Sequence, residues 1–203
     1  MSGPRAARGG GPARIRTGLA AAGLSLALGC GSGVPIRYYT LDVPTAPPSA
    51  AARAEVLRVG VAPFLVDAPY DQDRIAYRPP GAGHEIAFYH YHRWAVPLSR
   101  SLQAGLAEAL DALDGVAAEP ARPGATYDAV LIGRLWRLEE VDESAESVRV
   151  VVEMEVGRAD RPERHALRLE APVAERTLES VVAAFAATLR EAARRVAEEV
   201  LAP

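Results

Sequence analysis

Lysine is absent from this chain of 203 residues, cysteine occurs once, and aromatic residues make up 6% of it. Each shortage excludes something. Without lysine there is no G-x-x-x-x-G-K phosphate loop, which needs that side chain to reach the phosphates. A single cysteine permits no intramolecular disulfide, so the domain must stand on its hydrophobic core, and about 170 residues is ample for one. Nor does a G-x-S-x-G nucleophile elbow occur. The apolar run GLAAAGLSLALG stops after the stretch Gly18 to Gly29, well short of the roughly 20 residues a membrane-spanning helix needs. All of the basic residues are arginine, from which no function follows.

What is present begins at the N-terminus. Residues 1–16 carry Arg5, Arg8, Arg14 and Arg16 and no acid, and the short apolar run follows. A basic region, an apolar segment and small residues at the end predict a secretory signal over residues 1–29. Cys30 comes directly after Leu26-Ala27-Leu28-Gly29, which resembles a bacterial lipobox with Ala27 and Leu28 in reversed order. In a lipobox the thiol is diacylated, the leader is cut before the cysteine, and the new amine is acylated. An ordinary signal peptide with an incidental cysteine is the alternative. About two lipid signals suffice for stable anchoring. Gly31, where aspartate would retain the protein at the inner membrane of enterobacteria, points to the outer membrane. Four of the 23 basic residues leave with the leader, so the mature chain carries 19 against 26 acids, a net charge of −7. Such a surface is a poor match for nucleic acid, whose affinity rests on phosphate attraction.

Residues 30–36 form a tether. The six residues from Gly31 to Ile36 reach at most roughly 20 Å, which keeps the domain, predicted over 37–203, close to its bilayer. IRYYTL (36–41) reads as a first strand, and VLRVGVAPFLV (56–66), apolar on both faces, as a central one. RIAYR (74–78) is a short strand bounded by Pro and Gly, and HEIAFYHYHRW (84–94) is extended. Pro97 opens a helix whose stripe is Leu98, Leu102, Leu106, Leu110 and Leu113, with Gly115 just past its end. EPARPGA (119–125) is read as loop, and YDAVLIGRLWRL (127–138) as a long central strand. SVRVVVEMEVGR and ALRLEAP (166–172) alternate as half-buried strands. The acidic EEVDESAES between 138 and 148 is read as a solvated hairpin tip, and GRADRPERH as a basic one. Thr177 caps a long terminal helix. Its apolar face carries Leu178, Val181, Val182, Phe185, Leu189, Val196 and Val200, opposite salt-bridge spacings at Glu191/Arg195, Arg194/Glu198 and Arg195/Glu199. Core packing is favoured for it over a membrane-surface role. The expectation is α/β: a single domain with a mixed β-sheet of about six or seven strands and two principal helices.

Chemistry was sought in the stretch FYHYHRWAVPLSRSL (88–102). His84, His90 and His92 fall on one face of an extended chain, but at about 3.3 Å per residue His84 stands roughly 20 Å from His90. Only His90 and His92 can cooperate, and zinc would need two more ligands; His165 sits in a loop with no acid motif. Asp67, Asp71 and Asp73 lie in a Pro-bounded turn. No catalytic set, metal site or cofactor is predicted. Aromatic residues beside arginine carry interface energy, so Tyr77, Arg78, Tyr89, Tyr91 and Arg93 are the candidate partner-binding residues. Trp94 is expected in the core.

The lipobox cysteine, YYTL (38–41), a valine-rich strand before a proline, RIAYR and HRWAVPLSRSL (92–102) together resemble the ABC-type transport auxiliary lipoprotein family, which includes the PqiC-like lipoproteins. The family signature runs Y-R, an acid, then H/R-W-A-E-P-L; Tyr77-Arg78, Glu85 and Arg93-Trp94-Ala95 match, and Val96 stands where glutamate is usual. The resemblance covers about residues 36–201. It implies a non-catalytic outer-membrane lipoprotein that docks the periplasmic conduit of an MCE-domain transporter and helps lipid cargo cross. A homo-oligomeric ring around the conduit is consistent with it. A general envelope scaffold or assembly lipoprotein, with no ABC transporter, is the competing reading.

Overall fold

Alternating and continuous apolar runs place the strands, and two prolines decide where they stop. The computed structural model describes residues 34–43, 56–144 and 147–202. Along it run β1 (Arg37–Tyr39), β2 (Leu57–Val61), β3 (Leu65–Val66), β4 (Arg74–Arg78), β5 (Ala87–Trp94), α1 (Leu98–Asp111), β6 (Val116–Pro120), β7 (Ala129–Asp142), β8 (Val148–Arg158), β9 (His165–Pro172) and α2 (Leu178–Glu199). The class is α/β with a mixed sheet and two principal helices, as expected, but the sheet has nine strands rather than six or seven.

The extra strands have local causes. Pro63 cannot donate to a ladder, so the run 56–66 breaks into β2 and β3, which pair with different parts of β7. The stretch expected as loop from Glu119 starts one residue pair too early. Val116 to Pro120 lie parallel to Leu57 to Val61, forming an edge strand that ends at Pro120. Gly115, at φ +78°, makes the left-handed turn that swings the chain from α1 into β6.

Strand β7 is the spine. One edge is taken by β8, antiparallel from Leu131↔Arg158 to Asp142↔Val148. The other edge is shared in sequence by β2, β3 and β4, all parallel to it. Outside β4 lies β5, antiparallel, and outside β5 lies β1, parallel. Strand β9 flanks β8.

Both helices pack on the core. Leu98, Leu102, Leu106 and Leu110 are buried on α1, while Leu113 lies past the helix and is half-buried. Gln103, also buried, donates to the Val61 carbonyl at 2.8 Å and ties α1 to β2. Thr177 caps α2, its hydroxyl accepting from the Ser180 amide at 3.2 Å. Val181, Phe185, Leu189 and Val196 are buried beneath α2, whose outer face carries Glu191–Arg195 at 3.1 Å and Arg194–Glu198 at 3.8 Å. In β7, Gly133 lets the Phe64 ring lie against the backbone: a Cβ there would sit 2.3 Å from Phe64 Cε1. Gly133→Ala is therefore expected to destabilise by about 1–3 kcal/mol through overpacking, seen as a lower urea midpoint with an unchanged slope.

Candidate functional site

Successive residues of a strand face opposite ways, and two consecutive glutamates in β7 therefore enter different surroundings. Glu139 is fully buried. Its carboxylate accepts from Arg78 Nε at 2.9 Å, Arg137 Nε at 2.5 Å and the Tyr70 hydroxyl at 2.8 Å. Burial alone would raise its pKa, but these three donors outweigh it and hold the carboxyl below the usual range. The Tyr70 phenol is pushed up, first by burial and then by Glu139. Arg78 does more than pair: its Nη1 donates to the carbonyls of Gly83 at 2.9 Å and Glu85 at 3.1 Å, so it also braces the turn between β4 and β5.

Glu140 shares its face with Tyr77, its register partner on β4. It is buried and accepts from the Tyr89 hydroxyl at 2.8 Å. The nearby Arg176 bonds Asp142 at 2.8 Å. Burial accordingly pushes the Glu140 carboxyl above its ordinary value, and burial followed by Glu140 raises the Tyr89 phenol.

From Tyr89 a file of rings crosses the sheet edge. Tyr77 and Tyr89 lie 4.6 Å apart by centroid, Tyr89 meets His92 edge-on at 5.5 Å, and His92 lies 5.6 Å from Tyr39. The Tyr39 hydroxyl and His92 Nδ1 are 3.0 Å apart. This file exists because β5 bulges. Arg74 faces Arg93 while Ala76 faces Phe88, so two steps along β4 answer five along β5. Such a bulge re-aims side chains and breaks strict alternation.

The candidate partner-binding residues thus separate. Tyr77 and Tyr89 come together as a half-buried ring pair. Arg78 works on the other face, at Glu139, and Arg93 bonds Asp73 at 2.5 Å. Tyr91 alone of the five presents an exposed side chain, at 46%. Trp94 is buried, edge-on to Phe185 at 6.0 Å, as expected. Cys30 lies outside the described residues. His84 occupies a turn before β5, His90 is exposed, and His165 Nδ1 lies 3.7 Å from Glu199. Among the described residues no three potential ligands converge on a metal position. Of the three aspartates, Asp67 pairs with Arg134 at 2.7 Å and Asp73 with Arg93; Asp71 is exposed. Asp71, Gln72 and Asp73 face Trp94 to Leu98 across a shallow cleft of about 290 Å³, with Val96 on its rim.

Glu139 and Glu140 are the residues that sequence reasoning missed, having been assigned to a solvated tip. A signal was available. An outgoing strand ending at Leu138 leaves a tip to Val148 longer than the 2–5 residues usual for hairpins. Extending β7 through Asp142 removes that excess.

The model of the ABC-type transport auxiliary lipoprotein component family matches residues 39–197, most of the chain. The chain belongs to that family. This auxiliary component accompanies an ABC-type transporter as a lipoprotein, and its place is in the envelope at a membrane. Among solved structures, a Xanthomonas campestris protein assigned to the family model DUF330 shares the fold with a TM-score of 0.61 at 20% identity, over 79% of this chain and 92% of that one. A crystallised uncharacterised protein matches with a TM-score of 0.60 at 15% identity, over 82% and 99%. No curated protein matches the chain in sequence. In the auxiliary component, then, the Tyr77-Arg78 dipeptide has a structural account: each residue reaches one of two adjacent buried carboxylates, Tyr77 through Tyr89 and Arg78 directly.

Proposed function

We propose that this auxiliary component is a non-catalytic lipoprotein, cut after residue 29 and held through acylated Cys30 at the periplasmic face of the outer membrane. There it docks the periplasmic conduit of an MCE-domain, ABC-type lipid transport system. The family match over residues 39–197 carries the reading, and the lone cysteine four residues ahead of Val34 supports it. The charged groups of the candidate site are engaged with one another, Arg78 and Arg137 on Glu139 and Arg93 on Asp73, which suits an adaptor better than an enzyme. Of the candidate set, Tyr91 alone keeps an exposed side chain.

The test has two arms. Mass spectrometry of the mature protein is expected to show three acyl chains on Cys30, absent in Cys30→Ser, which also loses outer-membrane fractionation. Crosslinking in cells is expected to capture an MCE-domain protein. A variant without the thiol that fractionates unchanged and remains competent would sink the anchor. Capture of an outer-membrane barrel protein with no MCE partner would favour an envelope-assembly scaffold instead.

A further inference from the structure

Among the described residues strand β1 is an edge strand, paired on one side only, to β5. Just before and along it, Val34, Ile36 and Tyr38 recur at every second residue, and all three are exposed, at 59%, 43% and 63%. Side chains at this spacing share a face. Tyr38 is in register with Arg93, and carrying that register two steps back sets Ile36 beside Tyr91, which is 46% exposed. Two aliphatic and two tyrosine side chains therefore form one uncovered patch at the sheet edge. Beside it Arg74, in register with Arg93, is exposed, while Arg37 faces the other way, 3.9 Å from Glu179.

We infer that this patch is a bilayer-contact surface, laid on the leaflet that holds the Cys30 acyl chains. The inference rests on the anchor proposed above. Three residues separate Cys30 from Val34, and the four steps between them span at most roughly 14 Å when extended. An acylated Cys30 thus confines Val34 to the neighbourhood of the headgroups, and the uncovered residues nearest that point are these four. Their chemistry suits the place. Tyrosine buries its ring and keeps its hydroxyl wet, which is why it gathers at membrane interfaces. Arg74 complements anionic headgroups, although the domain as a whole is acidic. Contact here orients the domain with β1 and β5 downward and leaves the β8–β9 end of the sheet away from the lipid.

Acylation of Cys30 leaves the chain without a free thiol, so a single substituted cysteine can carry a spin label. Full-length lipidated protein bearing Tyr38→Cys, Tyr91→Cys or, as a distant control, Leu65→Cys is labelled and reconstituted in phosphatidylethanolamine–phosphatidylglycerol vesicles. Leu65 is 70% exposed, and these surface changes are expected to leave the urea midpoint essentially unchanged. Labels at 38 and 91 are expected to lose accessibility to a water-soluble nickel relaxer and gain it to oxygen, while the label at 65 does the reverse. Labels at 38 and 91 that behave like the one at 65 overturn the inference, as does spin–spin broadening showing that a second copy covers the patch. A free Cys30 thiol in the mature protein, with no vesicle binding, overturns the anchor and the contact surface together. Acylated protein with wet labels overturns the surface alone.

Discussion

Replacing Glu139 with alanine is expected to destabilise the domain by about 3–5 kcal/mol, the range for breaking a buried ion pair by removing one partner. The reason is what remains. Arg78 and Arg137 have side chains only 19% and 22% exposed, and the Tyr70 hydroxyl is buried with them. Without the carboxylate two guanidiniums face each other with little water. Arg78 keeps its two carbonyl acceptors and Arg137 keeps Glu153 at 3.5 Å, which places the effect toward the lower end. In a domain of this size that is a fall in Tm of roughly 10 °C, measurable by circular dichroism. The adjacent residue is expected to behave oppositely. Glu140→Gln keeps an acceptor for Tyr89 and removes a charge that burial disfavours, so at neutral pH it should be neutral or stabilising.

The pH dependence separates the two further. In the unfolded chain both titrate near pH 4.3. The Glu139 carboxyl is depressed in the fold, so its contribution is complete above that value and is lost as pH falls through the lower folded one. The Glu140 carboxyl is raised, so its contribution is present below about pH 4.3 and is lost as pH rises through the folded value. Urea midpoints from about pH 3 to about pH 8 should show Glu139→Gln removing the acid-side loss and Glu140→Gln removing the loss on the upper side. Identical profiles for the two variants would contradict the opposed environments of these neighbours.

Trp94→Ala is expected to cost about 3–5 kcal/mol, as for a large aromatic removed from a packed core. Trp94 is 3% exposed and stands where four parts of the fold meet. Its ring packs on Phe185 of α2, its amide donates to the Asp73 carbonyl at 2.6 Å, it is in register with Tyr39 of β1, and α1 begins four residues later. Loss of the ring should therefore loosen the three-residue β1 first, lowering hydrogen-exchange protection there as well as the global urea midpoint. Tyr91→Ala, three residues away and exposed, should change stability by no more than about 0.5 kcal/mol. A Trp94 variant as stable as the Tyr91 variant would remove Trp94 from the core and return the whole HRWAVP stretch to the surface.

These contrasts mark the boundary of what the chain discloses before it folds. RIAYR, the leucine stripe of α1 and the Thr177 cap were legible because each is a local regularity: period two, period 3.6, or a hydroxyl three residues from an amide. Two strands were not. The parallel pairing that makes β6 from Val116 to Pro120 depends on β2, some sixty residues earlier, and β3 is separated from β2 only by which part of β7 each meets. The ring file was hidden by a bulge, which removes the alternation on which face assignments depend.

The candidate site divides the same way. Composition and order alone determined the basic and apolar N-terminal pattern with its single thiol, the absence of lysine chemistry, the class of fold and the motifs of the family, because these are covalent or short-range. Tertiary structure decided that Arg78, 61 residues from Glu139, neutralises it, that the Tyr89 hydroxyl donates to Glu140, and that Tyr91 is left outside. Two adjacent glutamates are chemically alike in sequence. Only the groups delivered to each side of the sheet hold one carboxyl below its ordinary range and leave the other above it.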